Sequence, residues 1–375
     1  PESYHCFFGL HHFIYLWDLI EDSPLYTNED RRDVVTMFGE LLEHLGGLFY
    51  LTPEANPPGE PRQNHSTFIG IDLAFGNDYM VKRYGIEAFE HTVEPVERIF
   101  SGQADSYKPN DDAGVGYAWL VPYETLSYLL YKNDYSYLDN GHIDDLCKLA
   151  VITTDNMRSE GGYGDTAGYA AFSPDGWNRR LWPLIVSAWR TPNAERLWAL
   201  NWLGEGKRPT LSEVLSGLYG AVRFGENEFQ VEGHTPEPPD DLLGICAMPL
   251  PESTLRWVRN HTPESHHPDD DRTYCDKISL RTSLDPDHEY LLLEGIGTLC
   301  HGHEDTNAIV RLSWNNRAWL ADGDYIRAAP KFHNSVTVTR DGVGVLESTG
   351  DGLLIPPLAS ENLLIDEDAI GLLQT

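Results

Sequence analysis

His301-Gly302-His303-Glu304-Asp305 sets two histidines two residues apart, a spacing that turns both rings to one side of an extended chain. Asp322 follows in Trp319-Leu320-Ala321-Asp322-Gly323-Asp324-Tyr325, and then comes His333-Asn334-Ser335-Val336. Two histidines and one aspartate brought in by neighbouring strands suit a divalent metal such as zinc. The competing reading is a set of polar side chains that cap strand ends by hydrogen bonds. Upstream, Asn64-His65-Ser66-Thr67 opens a helical stretch; alone it reads as a helix cap or a glycosylation sequon. Tyr117, close to Trp119 and Tyr123, alone reads as a core aromatic. His5, His11, His12, His261, His266 and His267 join no pattern and read as surface or packing residues. Asp269-Asp270-Asp271 reads as a solvated loop, and Asn260-His261-Thr262 is a second sequon.

The elements that must hold these residues change character along the chain. Apolar residues recur at helical spacing over Tyr4–Ile20, from Val34 to Leu45, and over Thr67–Arg83, Ile86–Phe100, Tyr117–Tyr131, His142–Met157 and Leu211–Phe224. Thr27 or Asn28 supplies the cap of the second of these. Pro- and Gly-rich segments such as Pro53–Gln63 and Gln103–Gly116 separate them. The Pro-rich, acidic stretch Glu232–Asp241 marks a boundary, giving residues 1–235 as a helical domain and 236–375 as a β domain. Beyond it the period becomes two, over Lys277–Leu284, Glu289–Glu294, Ala308–Trp314, Ala318–Ala321 and Ser335–Thr339, with Asp-Pro, Asn-Asn and Asp-Gly turns. The fold class expected is multidomain: successive helix pairs in an α/α toroid or solenoid, then an antiparallel β-sandwich.

The chain has 375 residues, a hydrophobic fraction of 41% and a formal net charge of -32. Such a charge opposes binding to nucleic acid and to anionic membranes, and no apolar run is long enough for a transmembrane helix. It equally repels a polyanionic ligand unless the binding cleft is locally basic. Lysine is confined to Lys82, Lys108, Lys132, Lys148, Lys207, Lys277 and Lys331, which suits salt adaptation and, equally, an acidic protein from a GC-rich genome. Self-repulsion weakens a folded state most where screening is weakest, the screening length being roughly 30 Å at 0.01 M salt. The melting temperature is therefore expected to rise with added salt, and a flat response up to molar salt would remove the salt-adaptation reading. Five cysteines, Cys6, Cys147, Cys246, Cys275 and Cys300, form no CxxC; a single bridge within Cys246, Cys275 and Cys300 stays open.

The series H-x-H-x-D, hydrophobic strand, D-G-x-Y, H-N-S-V resembles the β-domain signature of heparinase II/III-like polysaccharide lyases. It is carried here by His301, His303 and Asp305, then Asp322, Gly323 and Tyr325, then His333, Asn334 and Val336. The resemblance extends upstream. Asn64-His65 looks like the family's Asn-His pair at the start of a toroid helix. Asp111-Asp112-Ala113-Gly114-Val115-Gly116-Tyr117 looks like the segment that delivers its tyrosine, and Gly162-Tyr163-Gly164-Asp165-Thr166 like a further toroid motif. The match departs where Gly114 to Gly116 stand in place of the family's glutamate. Family members extend further at both ends, so the resemblance implies an incomplete toroid, N-terminally truncated, and a sandwich cut short at its C-terminus.

The resemblance implies β-elimination on a 1,4-linked, uronate-containing acidic polysaccharide or oligosaccharide, by a carbon–oxygen lyase in an extracellular or periplasmic setting. The C5 proton beside a charged carboxylate is very weakly acidic, so the developing charge must be stabilised; Asn64 and His65 take that role. A base removes the proton and an acid protonates the leaving oxygen; Tyr117, with nearby cations lowering its pKa, and His301 take these. His303, Asp322 and His333 hold a zinc or similar divalent metal that is largely structural. The alternatives are a glycoside hydrolase on a similar toroid, with opposed carboxylates from Asp111, Asp112 and Asp165, and a carbohydrate-binding protein without turnover.

Overall fold

The structure, a computed structural model, describes residues 9–61, 64–108, 115–162, 180–191, 193–204, 234–261, 264, 267, 272–296, 306–322, 333–335, 339–340, 343–344, 359–360, 362–365 and 371–374. Helices come first: α1 (Leu10–Ile20), α2 (Asn28–Gly46), α3 (Asn64–Tyr79), α4 (Val93–Gln103), α5 (Val115–Tyr131), α6 (Ser136–Asp139), α7 (His142–Ile152), α8 (Leu181–Arg190) and α9 (Ala194–Gly204). The expected helix Leu211–Phe224 lies outside the described residues.

Local chemistry sets the helix ends. Thr27 is the cap of α2: its hydroxyl accepts from the Asp30 N–H while the Asp30 carboxylate accepts from the Thr27 N–H, a reciprocal capping box. α4 begins at Val93, later than periodicity suggests, after a 3₁₀ turn over Glu90–Thr92. Pro95 fits this start, because proline lacks an N–H and sits with least cost in a helix's first turn. α7 stops at Ile152, short of Met157. There the Thr153 and Thr154 hydroxyls donate back to the Leu149 and Ala150 carbonyls, a bond that competes with helix continuation.

α1, α3 and α5 lie side by side and point the same way. His11 near the start of α1 meets Asp72. Glu21 at its end accepts from the Tyr79 and Tyr84 hydroxyls at 2.6 and 2.8 Å. Phe68 of α3 packs against Tyr117 and Val121 of α5. α2 and α4 return between them and pack on α3, and α8 joins the row through Trp182, whose indole N–H donates to the Trp119 carbonyl at 3.1 Å.

A six-stranded antiparallel sheet follows. Its order is β1 (Gly244–Pro249), β2 (Thr273–Arg281), β3 (Tyr290–Glu294), β4 (Ile309–Trp314) and β5 (Arg317–Ala321), with β8 (Ala359–Ser360) beside β2. Two separate two-stranded pairs join β6 (Thr339–Arg340) to β7 (Val343–Gly344) and β9 (Asn362–Ile365) to β10 (Gly371–Gln374). The Asn315-Asn316 turn has both residues at positive φ, 54° and 56°, the backbone a two-residue hairpin needs. The period-two reading does not include β1, the helix over Glu252–His261 between β1 and β2, or the short strands β7 to β10. That helix starts just after Pro251, with Glu252 in its first turn and Thr254 and Val258 facing inward, all ordinary start signals.

One apolar core runs across the helix–sheet junction, joining helical residues such as Trp119, Ile152 and Trp182 to Cys246, Met248, Tyr290, Leu292 and Val310. Polar bonds reinforce it. Fully buried Arg281 donates to the carbonyls of Val151, Ile152 and Thr154. The Tyr290 hydroxyl donates to the Ile152 carbonyl at 2.6 Å, and Arg311 pairs with Asp155 at 2.7 Å. Cys246 and Cys275 carry free, buried thiols, so no bridge joins those two; Cys300 lies outside the described residues. Burial pushes the Cys275 thiol up to about 11.

Candidate functional site

Asn64 is the first residue of α3 and is completely buried. Neither its Oδ1 nor its Nδ2 has a hydrogen-bond partner among the described residues. The cap reading therefore fails, because a capping Asn would bond the N–H groups of Ser66 or Thr67. The sequon reading fails in the folded chain, because glycan attachment needs an exposed amide. A buried, unbonded amide costs free energy, so its position calls for a ligand or water contact. Half-buried His65 sets its ring edge-on to Tyr50, centroids 4.9 Å apart.

Phe68 lies one turn after Asn64 and so shares its helix face. Its ring is 6.5 Å from that of Tyr117, which is buried in the first turns of α5. Asn64 and Tyr117 thus start two neighbouring helices that point the same way. Below them a buried relay fixes the helix spacing: Gln103 of α4 donates to Thr67 Oγ1 at 2.5 Å, and the Thr125 hydroxyl donates to Gln103 Oε1 at 3.1 Å.

In the β part, Asp322 and His333 come together as the spacing implied. The His333 Nδ1 lies 3.1 Å from both Asp322 carboxylate oxygens, and both side chains are buried. Asn334 explains its place in the motif. Its side-chain amide donates to the carbonyls of Ile309 and Ala321, and its carbonyl accepts from the Ile309 N–H. It thereby pins His333 to the start of β4 and the end of β5. His301, His303, Asp111, Asp112, Tyr163, Asp165 and the 269–271 run lie outside the described residues.

The segment carrying His301 and His303 leaves from this same end of the sheet. Its flanks are held by Glu294, whose N–H donates to the Ala308 carbonyl and whose carbonyl accepts from Asn307. Glu294 is fully buried and pairs with Lys277 at 2.7 Å. Lys277 also meets Asp276 at 3.0 Å, and Asp276 meets Lys108 at 3.4 Å and the Tyr107 hydroxyl at 3.2 Å. Lys108 in turn borders the segment that leads to Tyr117. One buried ion network therefore ties the tyrosine's approach to the histidines' approach. Burial alone would raise the Asp276 carboxyl, but Lys108 and Lys277 outweigh it and hold it below the usual carboxylate range.

Three further features had no sequence signal. Glu160, beside the Gly162 motif, is buried and accepts from the Trp119 indole at 2.8 Å; burial raises its pKa, while Arg180 and Trp119 oppose the rise. A cavity of about 640 Å³ lined by Asn77, Lys82, Glu90, Tyr128 and Tyr131 opens at the far end of α3 and α5, away from every site residue named above. The third is a histidine pair. His11 is a buried residue rather than a surface one, with Nδ1 2.7 Å from Asp72 Oδ1 and Nε2 4.0 Å from Glu124 Oε2. Its ring centroid is 4.0 Å from that of half-buried His12. Burial lowers both imidazole pKa values, His12 to about 4 with help from His11, and raises Asp72 to about 8. Among the described residues, His11, His12 and Glu124 are the group that could hold a metal ion, their ligand atoms all within 4.8 Å of one another.

No helix among the described residues is long and apolar enough to cross a membrane. No family model and no curated protein matches the chain.

Proposed function

We propose that this chain is a polysaccharide lyase that cleaves a 1,4-linked, uronate-containing glycan by β-elimination. The observation that carries the reading is Asn64, a fully buried amide with no partner among the described residues, at the start of a helix whose neighbour carries Tyr117 in its first turn. A substrate carboxylate accepting from that amide would end its isolation and draw off the charge that develops as C5 loses its proton. His65 adds a second donor. Tyr117 removes the C5 proton or protonates the O4 leaving oxygen, with His301 on the opposite face. The C5–H and C4–O bonds break, the C4–C5 double bond forms, and no water enters the product.

The row of parallel helices α1, α3 and α5, with return helices packed on them, supports an incomplete α/α toroid, and the sheet supports a β-sandwich behind it. The ion network of Lys108, Asp276, Lys277 and Glu294 joins the residue before the Tyr117 segment to the strand before the His301 segment, which supports a cleft at the helix–sheet junction, a common position for ligand sites. Asp322 and His333 fit the zinc that the resemblance implies. Their donor atoms are 3.1 Å apart, close to the edge of about 3.3 Å of a tetrahedron with ligand bonds of 2.0–2.1 Å. With His303 they would hold the ion, which supplies a rigid anchor for the His301 segment.

The test is a panel of uronate glycans, alginate, heparan-type, chondroitin-type, ulvan-like and glucuronan, incubated with the chain. Ultraviolet absorbance rising on at least one of them is the expected result, from the double bond conjugated with the carboxylate. New reducing ends without that absorbance would favour hydrolysis and overturn the lyase reading.

A further inference from the structure

The start of α1 carries a cluster that the lyase chemistry leaves unused. We propose that His11, His12 and Glu124 form a second metal centre, a three-ligand site for a divalent cation of the zinc type that locks α1 to α3 and α5. Geometry points to it in three ways. First, His11 is oriented as a ligand is. Its Nδ1 faces Asp72 Oδ1 at 2.7 Å, and the same oxygen accepts the His11 backbone N–H at 2.8 Å. In its ionised form, which a cation beside it favours, the Asp72 carboxylate on one ring nitrogen fixes the tautomer and leaves the other nitrogen's lone pair for that cation. That other nitrogen, Nε2, faces Glu124 Oε2 at 4.0 Å.

Second, the donor set is right for zinc and wrong for the alkaline-earth ions. Two imidazole nitrogens and one carboxylate oxygen, with a fourth position left for water, suit zinc. Calcium and magnesium take oxygen ligands almost throughout. Third, the closure needed is small. The donor atoms lie within 4.8 Å of one another, against about 3.3 Å for a tetrahedral edge with bonds of 2.0–2.1 Å. Half-buried His12 is at the open side of the cluster and can approach by a rotamer change, while the His11 Nε2–Glu124 Oε2 distance of 4.0 Å closes by a small shift of the Glu124 carboxylate. The ligands come from α1 and α5 and the orienting carboxylate from α3, so a bound cation joins three helices in addition to the apolar packing and hydrogen bonds they already share. Asp72 and Glu124 lie about two turns beyond Asn64 and Tyr117 on the same helices, or roughly 12 Å at 1.5 Å per residue. The centre is thus separate from the lyase site and acts on it only by fixing its helices.

The experiment uses the full chain, freed of metal by chelator and desalting, then supplied with zinc alone or magnesium alone. Bound metal is measured by elemental analysis and the melting temperature with and without zinc. The unaltered chain is expected to take up zinc and melt higher with it, and to do neither with magnesium. His12→Gln is expected to hold one zinc fewer per chain and to lose most of the zinc-dependent rise. Asp72→Asn, a positioning change, should weaken zinc binding about 10–100-fold. Asp322→Asn addresses the other metal position and should keep the His12-dependent equivalent. Because Glu124 is buried, Glu124→Gln is informative only where its far-ultraviolet circular dichroism matches the unaltered chain, so His12→Gln decides. If His12→Gln keeps the full zinc content and the full rise in melting temperature, or if zinc is lost only with Asp322→Asn, the second centre does not exist.

Discussion

Tyr117→Phe is expected to lower turnover on a susceptible uronate glycan by about 10²–10⁴-fold, the usual contribution of a general acid or base, with little change in melting temperature. Tyr117 is buried against Phe68 and Val121, and phenylalanine keeps every ring contact. In the proposed mechanism the lost hydroxyl acts in the transition state, so kcat should fall while KM stays nearly constant. His301→Ala should differ in kind: mild for one uronate epimer and severe for the other, since the epimers present the C5 proton on opposite faces. A folded, fully active Tyr117→Phe protein would show that another tyrosine, Tyr163 or Tyr325, holds the role.

Lys277→Met is expected to cost about 3–5 kcal/mol at neutral pH, the range for removing one partner of a buried pair. Lys277, Asp276 and Glu294 are all essentially inaccessible to solvent, and methionine removes the cation that pairs with both carboxylates. The effect should depend on pH with a definite sign. Burial favours neutral Lys277, but Asp276 and Glu294 outweigh it and raise its pKa. Its contribution is therefore complete below the unfolded value of about 10.4 and is lost only as pH rises through the higher folded value. Asp276 is shifted down, so its contribution is present above about 3.9 and is lost as pH falls through the folded value. In the variant, protonating the stranded carboxylate relieves the buried charge. The stability gap between the two proteins, measured by denaturant melts, should narrow from pH 7 to pH 3. A gap of equal size at both pH values would show that packing, not charge, accounts for the loss.

Much of the scaffold was legible because short-range chemistry sets it. Thr27 and Asp30 announce the start of α2 three residues apart, and Asn315-Asn316 announces the β4–β5 hairpin. The misses have local causes. Pro95 fits a helix start at Val93 despite the apolar periodicity before it, and Thr153 and Thr154 end α7 where the apolar pattern continues. The helix over Glu252–His261 was hidden by the period-two character around it, although Pro251 and Glu252 signal its start. The contact between Asp322 and His333 was legible because both lie in one compact motif. The His11, Asp72 and Glu124 cluster was missed because its members come from three helices far apart in sequence, and two adjacent histidines carry no ligand spacing of their own. The ion network at Lys108, Asp276, Lys277 and Glu294 was invisible for the same reason, though two members of a seven-lysine inventory being buried together marks it in hindsight.

The most direct measurement of the central claim is the mass of the oligosaccharides released from a uronate polymer. Elimination splits the chain without adding water, so the new non-reducing end carries an unsaturated uronate and each such product is one water lighter than its hydrolytic counterpart. The proposed lyase predicts these lighter products, absent when Tyr117→Phe replaces the unaltered chain. Products at the full hydrolytic mass, formed by the unaltered chain, would contradict it.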